Sequence, residues 1–288
     1  MKKRYFVYLL FILCWAIILD SLSNFLLKHS MPSFNFNLEK ISKRKKPIEI
    51  NAKSAISLRV FNSKRTKVLY QKNPEEILPI ASLTKLFGAV IVLEDEKNYP
   101  LNKKISISDE ASSKENVPFG GNYHPGKVLT VEELVKDMIL FSSNDAAHAL
   151  AEQIGLENFV YRMTEKARKL SLSKTNFANP TGLDPPSLKF STSSISQFNY
   201  SNVKDVAYFS YYIAENFPFI FEISLQNHNI KKITSKNLKI IGGKTGFTDE
   251  AKRCMVLVLR DNLGYIINVV LGAPSFEEMQ KLVDWLEE

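Results

Sequence analysis

Cysteine is almost missing from this chain, with only Cys14 and Cys254 in 288 residues. Neither lies in a CxxC pair or beside histidine, which excludes a disulfide scaffold and a cysteine-built metal site. Histidine is scarce too, and His29, His124, His148 and His228 never take the HExxH spacing. No metal site is therefore expected. The 11 glycines and 12 prolines are too few for a collagenous or low-complexity chain. Nor does the main body carry a basic surplus: residues 1–53 hold a net +7 of the overall +8, and residues 54–288 only +1. A groove for nucleic-acid phosphates has no support there, and no nucleic-acid partner is expected. No internal repeat is visible. What remains is a 45% hydrophobic, 24% charged chain, long enough to bury a core in one large or two small domains.

The ends and the middle differ in character. Lys2-Lys3-Arg4 precede Tyr5 to Leu19, a run without charge, and a mixed stretch with Asp20, Ser21, Ser23 and Asn24 continues to Leu27. A basic start followed by an apolar run is an export signal whose positive end stays in the cytosol. The unbroken run is short for a span of roughly 17–25 residues. Extended to Leu27 it suffices, and residues 1–27 are read as an uncleaved N-terminal membrane anchor. A signal peptide cut near Ser21-Leu22-Ser23 is the alternative, although no Ala-x-Ala is present. Either sends the remainder out of the cytosol, onto the extracytoplasmic face of the bacterial membrane if the anchor stays and into export if it is cleaved. Residues 28–53, with Pro32, Pro47 and Lys43-Arg44-Lys45-Lys46, read as a solvated basic linker able to touch anionic headgroups.

From Ser54 the pattern is that of a folded domain, 54–288. Alternation at Ile56, Leu58 and Val60, a polar turn at residues 62–65 and Val68-Leu69-Tyr70 predict a β-hairpin. An apolar helix is expected over residues 82–94. Thr130-Val131-Glu132-Glu133 is a capping box opening a helix to about Phe141. Two more helices are expected, one from Asn144 to near Gly155 and one over 157–170. Strands at 239–241, 255–259 and 265–271 and a helix over 275–285 follow. The expected class is α+β, an antiparallel sheet built from the N- and C-terminal segments and packed with helices, plus an all-helical subdomain.

Four Ser-x-x-Lys matches occur, at Ser42/Lys45, Ser82/Lys85, Ser171/Lys174 and Ser201/Lys204, and context singles out one. Pro79-Ile80-Ala81-Ser82-Leu83-Thr84-Lys85 places a serine at the N-terminal end of a strongly apolar helix, where free N–H groups favour a developing anion. Residues i and i+3 share a face, so a neutral Lys85 can take the proton of Ser82. Such a lysine needs its pKa lowered by burial or a second cation. Lys244, in Gly242-Gly243-Lys244-Thr245-Gly246, can be that cation. A phosphate-binding loop fails there, because Leu238 stands where glycine is required and strands rather than a helix follow. A strand edge holding a carboxylate, with glycines admitting a substrate backbone, fits instead. Ser142-Ser143-Asn144 supplies a hydroxyl and a carboxamide between two helices, although as a lone motif it is also an ordinary helix cap.

The three elements in this order resemble the active-site set of the penicillin-recognising serine peptidases and class A β-lactamases. From about residue 54 the chain most resembles the D-alanyl-D-alanine carboxypeptidases, the low-molecular-mass penicillin-binding proteins. The similarity includes Pro-x-Ala-Ser-x-Thr-Lys, Ser142 to Ala146, Asn179-Pro180-x-Gly182-Leu183, and Lys244 to Thr248 followed by Glu250-Ala251. It implies the DD-peptidase/β-lactamase-like fold, peptidoglycan stem peptides as substrate, β-lactam antibiotics as inhibitors, and no metal or organic cofactor. It further implies Ser82 as nucleophile, Lys85 as its base, and Ser142 as proton relay polarised by Lys244. Asn144 would hold the substrate amide, Thr245 the terminal carboxylate, and the backbone N–H groups of Ser82 and Phe247 the oxyanion, with Gly246 between. Cleavage of cross-links by a D,D-endopeptidase uses the same residues. A β-lactamase needs a glutamate in an E-x-x-L-N loop soon after the second motif, and the nearest match, Glu222 to Gln226, comes too late. Lys252 stands where glycine usually follows the alanine, which puts the turn there in question. Residues 185–200 are Ser-rich and longer than the resemblance leads one to expect. The end of the chain, directly after the last predicted helix, leads to the expectation that a second β-rich domain and a C-terminal anchor are lacking.

Overall fold

Strands with two apolar faces must be covered on both sides, and the C-terminal segments show why. In β8 (Lys252–Asp261) Cys254, Val256 and Val258 join one core while Met255, Leu257 and Leu259 join another. The computed structural model describes residues 46–186, 190 and 195–288, all within the unit formed by residues 36–288. Residues 1–45, with the expected leader and most of the linker, lie outside them.

The main sheet is fully antiparallel, with β1 (Ser54–Phe61) paired to β2 (Thr66–Lys72) on one side and to β9 (Gly264–Ala273) on the other. β8 and β7 (Lys239–Thr248) complete the order β2-β1-β9-β8-β7. The predicted α+β sheet from the two ends of the chain is what forms. The three C-terminal strands are longer than their apolar runs predict, because β7 continues through the glycine-rich segment to Thr248. Lys252 closes the β7–β8 turn with φ of 55°, a left-handed conformation that a glycine would adopt without strain.

One face of the sheet carries α8 (Glu277–Glu287), with Met279, Leu282 and Val283 buried against it. Residues 46–53 also belong to this layer, so the linker ends earlier than the composition suggests. Ile50 is fully buried, Glu278 accepts a 2.7 Å hydrogen bond from the Asn51 backbone, and Trp285 Nε1 donates to the Lys46 carbonyl at 2.7 Å. Apolar Ile48 and Ile50 outweigh the surrounding charge.

The other face packs on helices. They are α1 (Thr84–Glu94), the one-turn α2 (Asp109–Ser112), α3 (Val131–Leu140), α4 (Asn144–Glu152), α5 (Leu156–Lys169), α6 (Val203–Asn216) and α7 (Phe219–Ser224). The capping box forms as the sequence predicts, Thr130 Oγ1 accepting from Glu133 N at 3.2 Å and Glu133 Oε2 from Thr130 N at 2.7 Å. Short pairs β3 (Leu78–Pro79) with β6 (Tyr200–Ser201) and β4 (Lys104–Ser106) with β5 (Val128–Thr130) tie the helical part together. α6 is not signalled by periodicity: it lies between sheet and helices, so Val203, Val206, Phe209, Tyr211 and Ile213 are buried around most of its circumference.

Phe87 of α1 joins these layers. Its ring stacks on Phe209 of α6 at 3.5 Å between centroids and tilts against Phe177 at 4.6 Å. Phe87→Ala is expected to cost about 3–5 kcal/mol of unfolding free energy, read by urea denaturation. A loss under about 1 kcal/mol would show that neighbouring side chains refill the site.

Among the described residues no helix is long and apolar enough to cross a membrane. Cys254 is a free, fully buried thiol whose burial pushes its pKa up to about 12, so it is an inert core residue.

Candidate active site

Ser82 sits in a single 3-10 turn, Ala81–Leu83, that leads straight into α1. Ala81 is held at φ of 46°, which turns the serine out of the helix axis toward a cleft. One turn on, Lys85 is fully buried and its Nζ donates to three acceptors: Ser82 Oγ at 2.9 Å, Asn144 Oδ1 at 2.8 Å and the Thr181 carbonyl at 2.6 Å. Burial, with the charge of Lys244 added, pushes the Lys85 pKa well below the usual lysine value, while Glu115 opposes. Once it loses a proton, the amine keeps two N–H groups for Asn144 and Thr181 and turns its lone pair to the Ser82 hydroxyl, a competent base.

Ser142 has φ of 65° and follows α3. Helix capping is done by its neighbour: Ser143 Oγ accepts from Ala146 N at 3.0 Å. That leaves Ser142 and Asn144 free to face the cleft. Lys244 Nζ donates to Ser142 Oγ at 2.7 Å and to the Thr245 carbonyl at 2.8 Å. Burial alone lowers the Lys244 pKa to about 7.

β7 is the edge strand of the main sheet, and its motif segment runs beside the serine turn. A Cβ on Gly246 would stand 2.8 Å from Ser82 N and 3.0 Å from Ala81 Cβ. Only glycine permits this approach, which brings the Ser82 and Phe247 backbones to one end of the cleft. Phe247 itself is 53% exposed, with Arg253 over its ring.

The structure thus gathers Ser82, Ser142, Asn144, Thr245, Gly246 and Phe247 around one cleft of about 340 Å³, with Lys85 and Lys244 buried beneath. Other participants lie in and around the Asn179-Pro180-x-Gly182-Leu183 segment. The Thr181 carbonyl is aimed at Lys85 by a turn in which Asn179 Oδ1 accepts from Thr181 N at 3.1 Å and Gly182 N at 2.7 Å. Asn199, buried between them, donates to Thr84 Oγ1 at 3.0 Å and to the Asn179 carbonyl at 2.8 Å. Gly182 has φ of 85°, and a Cβ there would lie 2.1 Å from the Ala81 carbonyl, so this loop and the serine turn fit only with glycine. Asp184 anchors the far end of β7, accepting from Thr248 Oγ1 at 2.8 Å and Glu250 N at 3.0 Å.

One wall is a strap over residues 113–123. Asn144 Nδ2 donates to the Glu115 carbonyl at 2.7 Å, and Tyr123 N donates to Asp145 Oδ2 at 2.8 Å. The lining also includes Asn227 and His228, whose ring stacks on the exposed Phe119 of the strap at 4.8 Å. His124 is exposed and lies outside the lining. Glu222, the nearest match to a β-lactamase glutamate, is exposed on α7 and also outside it. Of the long segment 185–200, residues 187–189 and 191–194 lie outside the described residues, and Phe190 N donates to Glu250 Oε2 at 3.1 Å.

Known proteins of one family resemble this chain over most of its length. Residues 40–275 match the S11 peptidase family, described as D-alanyl-D-alanine carboxypeptidase. The chain is 32% identical over 256 residues to D-alanyl-D-alanine carboxypeptidase DacF of Bacillus subtilis, an alignment spanning 82% of this chain and 61% of that protein. To D-alanyl-D-alanine carboxypeptidase DacC of Escherichia coli it is 32% identical over 232 residues, 76% of this chain and 58% of the relative. This chain therefore spans about three fifths of the length of these two relatives. A D-alanyl-D-alanine endopeptidase of Pseudomonas aeruginosa is 29% identical over 77% of this chain and 73% of its own. Among solved structures, penicillin-binding protein 6B of Escherichia coli superposes with a TM-score of 0.69 at 26% identity, covering 89% of this chain and 82% of that one. The ampicillin-bound penicillin-binding protein D2 of Listeria monocytogenes gives 0.67 at 25% identity, covering 84% and 100%. With its three motifs assembled on one cleft and most of its length matched, the chain belongs to the D-alanyl-D-alanine carboxypeptidase family of serine peptidases.

Proposed function

We propose that this protein is a serine-type carboxypeptidase that removes the terminal D-alanine from peptidoglycan stem pentapeptides through an acyl-enzyme on Ser82. The observation that carries the reading is the buried Lys85 amine, 2.9 Å from Ser82 Oγ and held by Asn144 and Thr181. Neutral Lys85 takes the hydroxyl proton as Oγ attacks the carbonyl carbon of the penultimate D-alanine. The oxyanion is met by the N–H groups of Ser82 and Phe247. As the C–N bond breaks, the proton passes by way of Ser142 to the leaving amine. Water then attacks the ester with Lys85 again as base, releasing the shortened stem and restoring the Ser82 hydroxyl. Lys244 and Thr245 bind the terminal carboxylate, and Asn144 the substrate amide. β-Lactams acylate Ser82 because their strained amide mimics the same bond.

Carboxylate recognition separates this activity from the alternative of cross-link cleavage by a D,D-endopeptidase, and a D-alanyl-D-alanine endopeptidase of Pseudomonas aeruginosa is among the relatives. A charge-assisted hydrogen bond contributes roughly 1.5–3 kcal/mol. Amidating the pentapeptide is therefore expected to lower kcat/KM by about 10- to 100-fold, and Thr245→Val to erase most of the difference. Released D-alanine is measured against monomer released from a cross-linked dimer. Equal turnover of free and amidated pentapeptide would favour the endopeptidase.

We also propose residence on the extracytoplasmic face of the bacterial membrane, supported by the basic and apolar pattern of residues 1–27. Full-length protein is expected to sediment with membranes in high salt, and a chain lacking 1–27 to be soluble and active. A mature N-terminus beyond Leu27 would show cleavage instead.

A further inference from the structure

Four residues beyond Asn144 on α4, His148 is buried, with 4% of its surface exposed. Its Nε2 lies 3.1 Å from Glu110 Oε1 of α2 and 3.5 Å from Glu152 Oε1, one turn further along α4. Despite that proximity, Nε2 is among the described buried polar atoms that make no hydrogen bond. The three donor atoms lie within 4.8 Å of one another, and they are the one such His, Cys, Asp or Glu group among the described residues. A tetrahedral ion held at about 2.0–2.1 Å has neighbouring ligands about 3.3–3.4 Å apart. The two measured separations bracket that edge length.

We propose that Glu110, His148 and Glu152 form a binding site for a divalent cation of the Zn²⁺ class, with water completing the coordination. The imidazole selects such an ion over Mg²⁺ and Ca²⁺, which prefer oxygen ligands throughout. Ser108 Oγ donates to Glu152 Oε1 at 2.7 Å, the kind of outer contact that orients a ligating carboxylate. Glu110, with a side chain 61% exposed, provides the way in. Lys114 Nζ sits 3.4 Å from Glu110 Oε1 and is the cation that an incoming ion displaces. No linear zinc signature marks the site, because the His-x-x-x-Glu pair is completed from a separate helix. Glu110 lies at the root of the strap, and the other two ligands lie on the helix that begins with Asn144. A bound ion therefore ties the strap to that helix.

The test is calorimetric titration of metal-stripped full-length protein with zinc chloride, alongside His148→Gln, Glu110→Gln, Ser108→Ala and Lys114→Gln. Thermal melting of each metal-free variant reports on folding. Wild type is expected to bind an equivalent that His148→Gln loses. Glu110→Gln and Ser108→Ala should weaken that equivalent at least about 10-fold, and Lys114→Gln should tighten it. Exposed Glu110 keeps the test decisive if His148→Gln does not fold. Absence of zinc binding by wild type, equal binding by Glu110→Gln, or an equal response to magnesium chloride would overturn the proposal.

Discussion

Ser82→Ala is expected to leave the protein without any covalent penicillin adduct and to lower pentapeptide hydrolysis by on the order of 10⁶-fold, the scale of losing a nucleophile outright. Intact-mass measurement after exposure to penicillin reads the adduct directly, as one added drug mass on wild type. The substitution removes one half-buried oxygen and one hydrogen bond from Lys85, which keeps Asn144 Oδ1 and the Thr181 carbonyl as acceptors. Folding should therefore be unaffected, and noncovalent binding of the pentapeptide should persist. An adduct retained in Ser82→Ala would move the nucleophile elsewhere.

Lys85→Gln is expected to slow acylation by about 10²–10⁴-fold, the contribution of a positioned base, and to change the pH profile in a way that loss of packing would not. Burial pushes down the pKa of both cleft lysines, and Lys85 carries the charge of Lys244 in addition. Lys85 therefore deprotonates first as pH rises, giving the wild type an acid limb in kcat/KM. Lys244, with a free-enzyme pKa of about 7, loses its charge next. The substrate carboxylate then meets a neutral amine, and kcat/KM falls above that pH. Stopped-flow acylation across the pH range should show both limbs in wild type and only the alkaline one in Lys85→Gln. An acid limb surviving in the variant would exclude Lys85 as the base.

Much of the site was legible because its chemistry is local. Ser82 and Lys85 share a helix face, and Lys244 to Phe247 lie on one strand, so a motif states most of their geometry. The Asn179 to Leu183 segment was legible as a motif, but its role was not: the Thr181 carbonyl within it completes the Lys85 pocket, and a backbone oxygen has no residue type while its aim depends on Asn179 and Asn199. The strap likewise belongs to the cleft only because Asn144 and Asp145 reach across to its backbone. In the fold, alternation exposed the strands and capping exposed α3, whereas α6 was hidden because burial on nearly all sides erases an amphipathic stripe. Ile48 and Ile50 were hidden by the charged residues around them.

The pairing of β1 with β9 has a consequence for how the molecule comes into being. Ser54 meets Leu271 and Phe61 meets Gly264, so the centre of the sheet joins segments separated by most of the chain. Contacts this distant close slowly, because the loop entropy is lost before the strand pairing rewards it. A chain emerging in order can gather α1, α3, α4 and α5 early, yet Lys244 has no sheet to sit on until β8 and β9 arrive. Ser82 and the Lys244 strand thus come together only once β8 and β9 are in place, so the cleft is expected to form among the late folding steps.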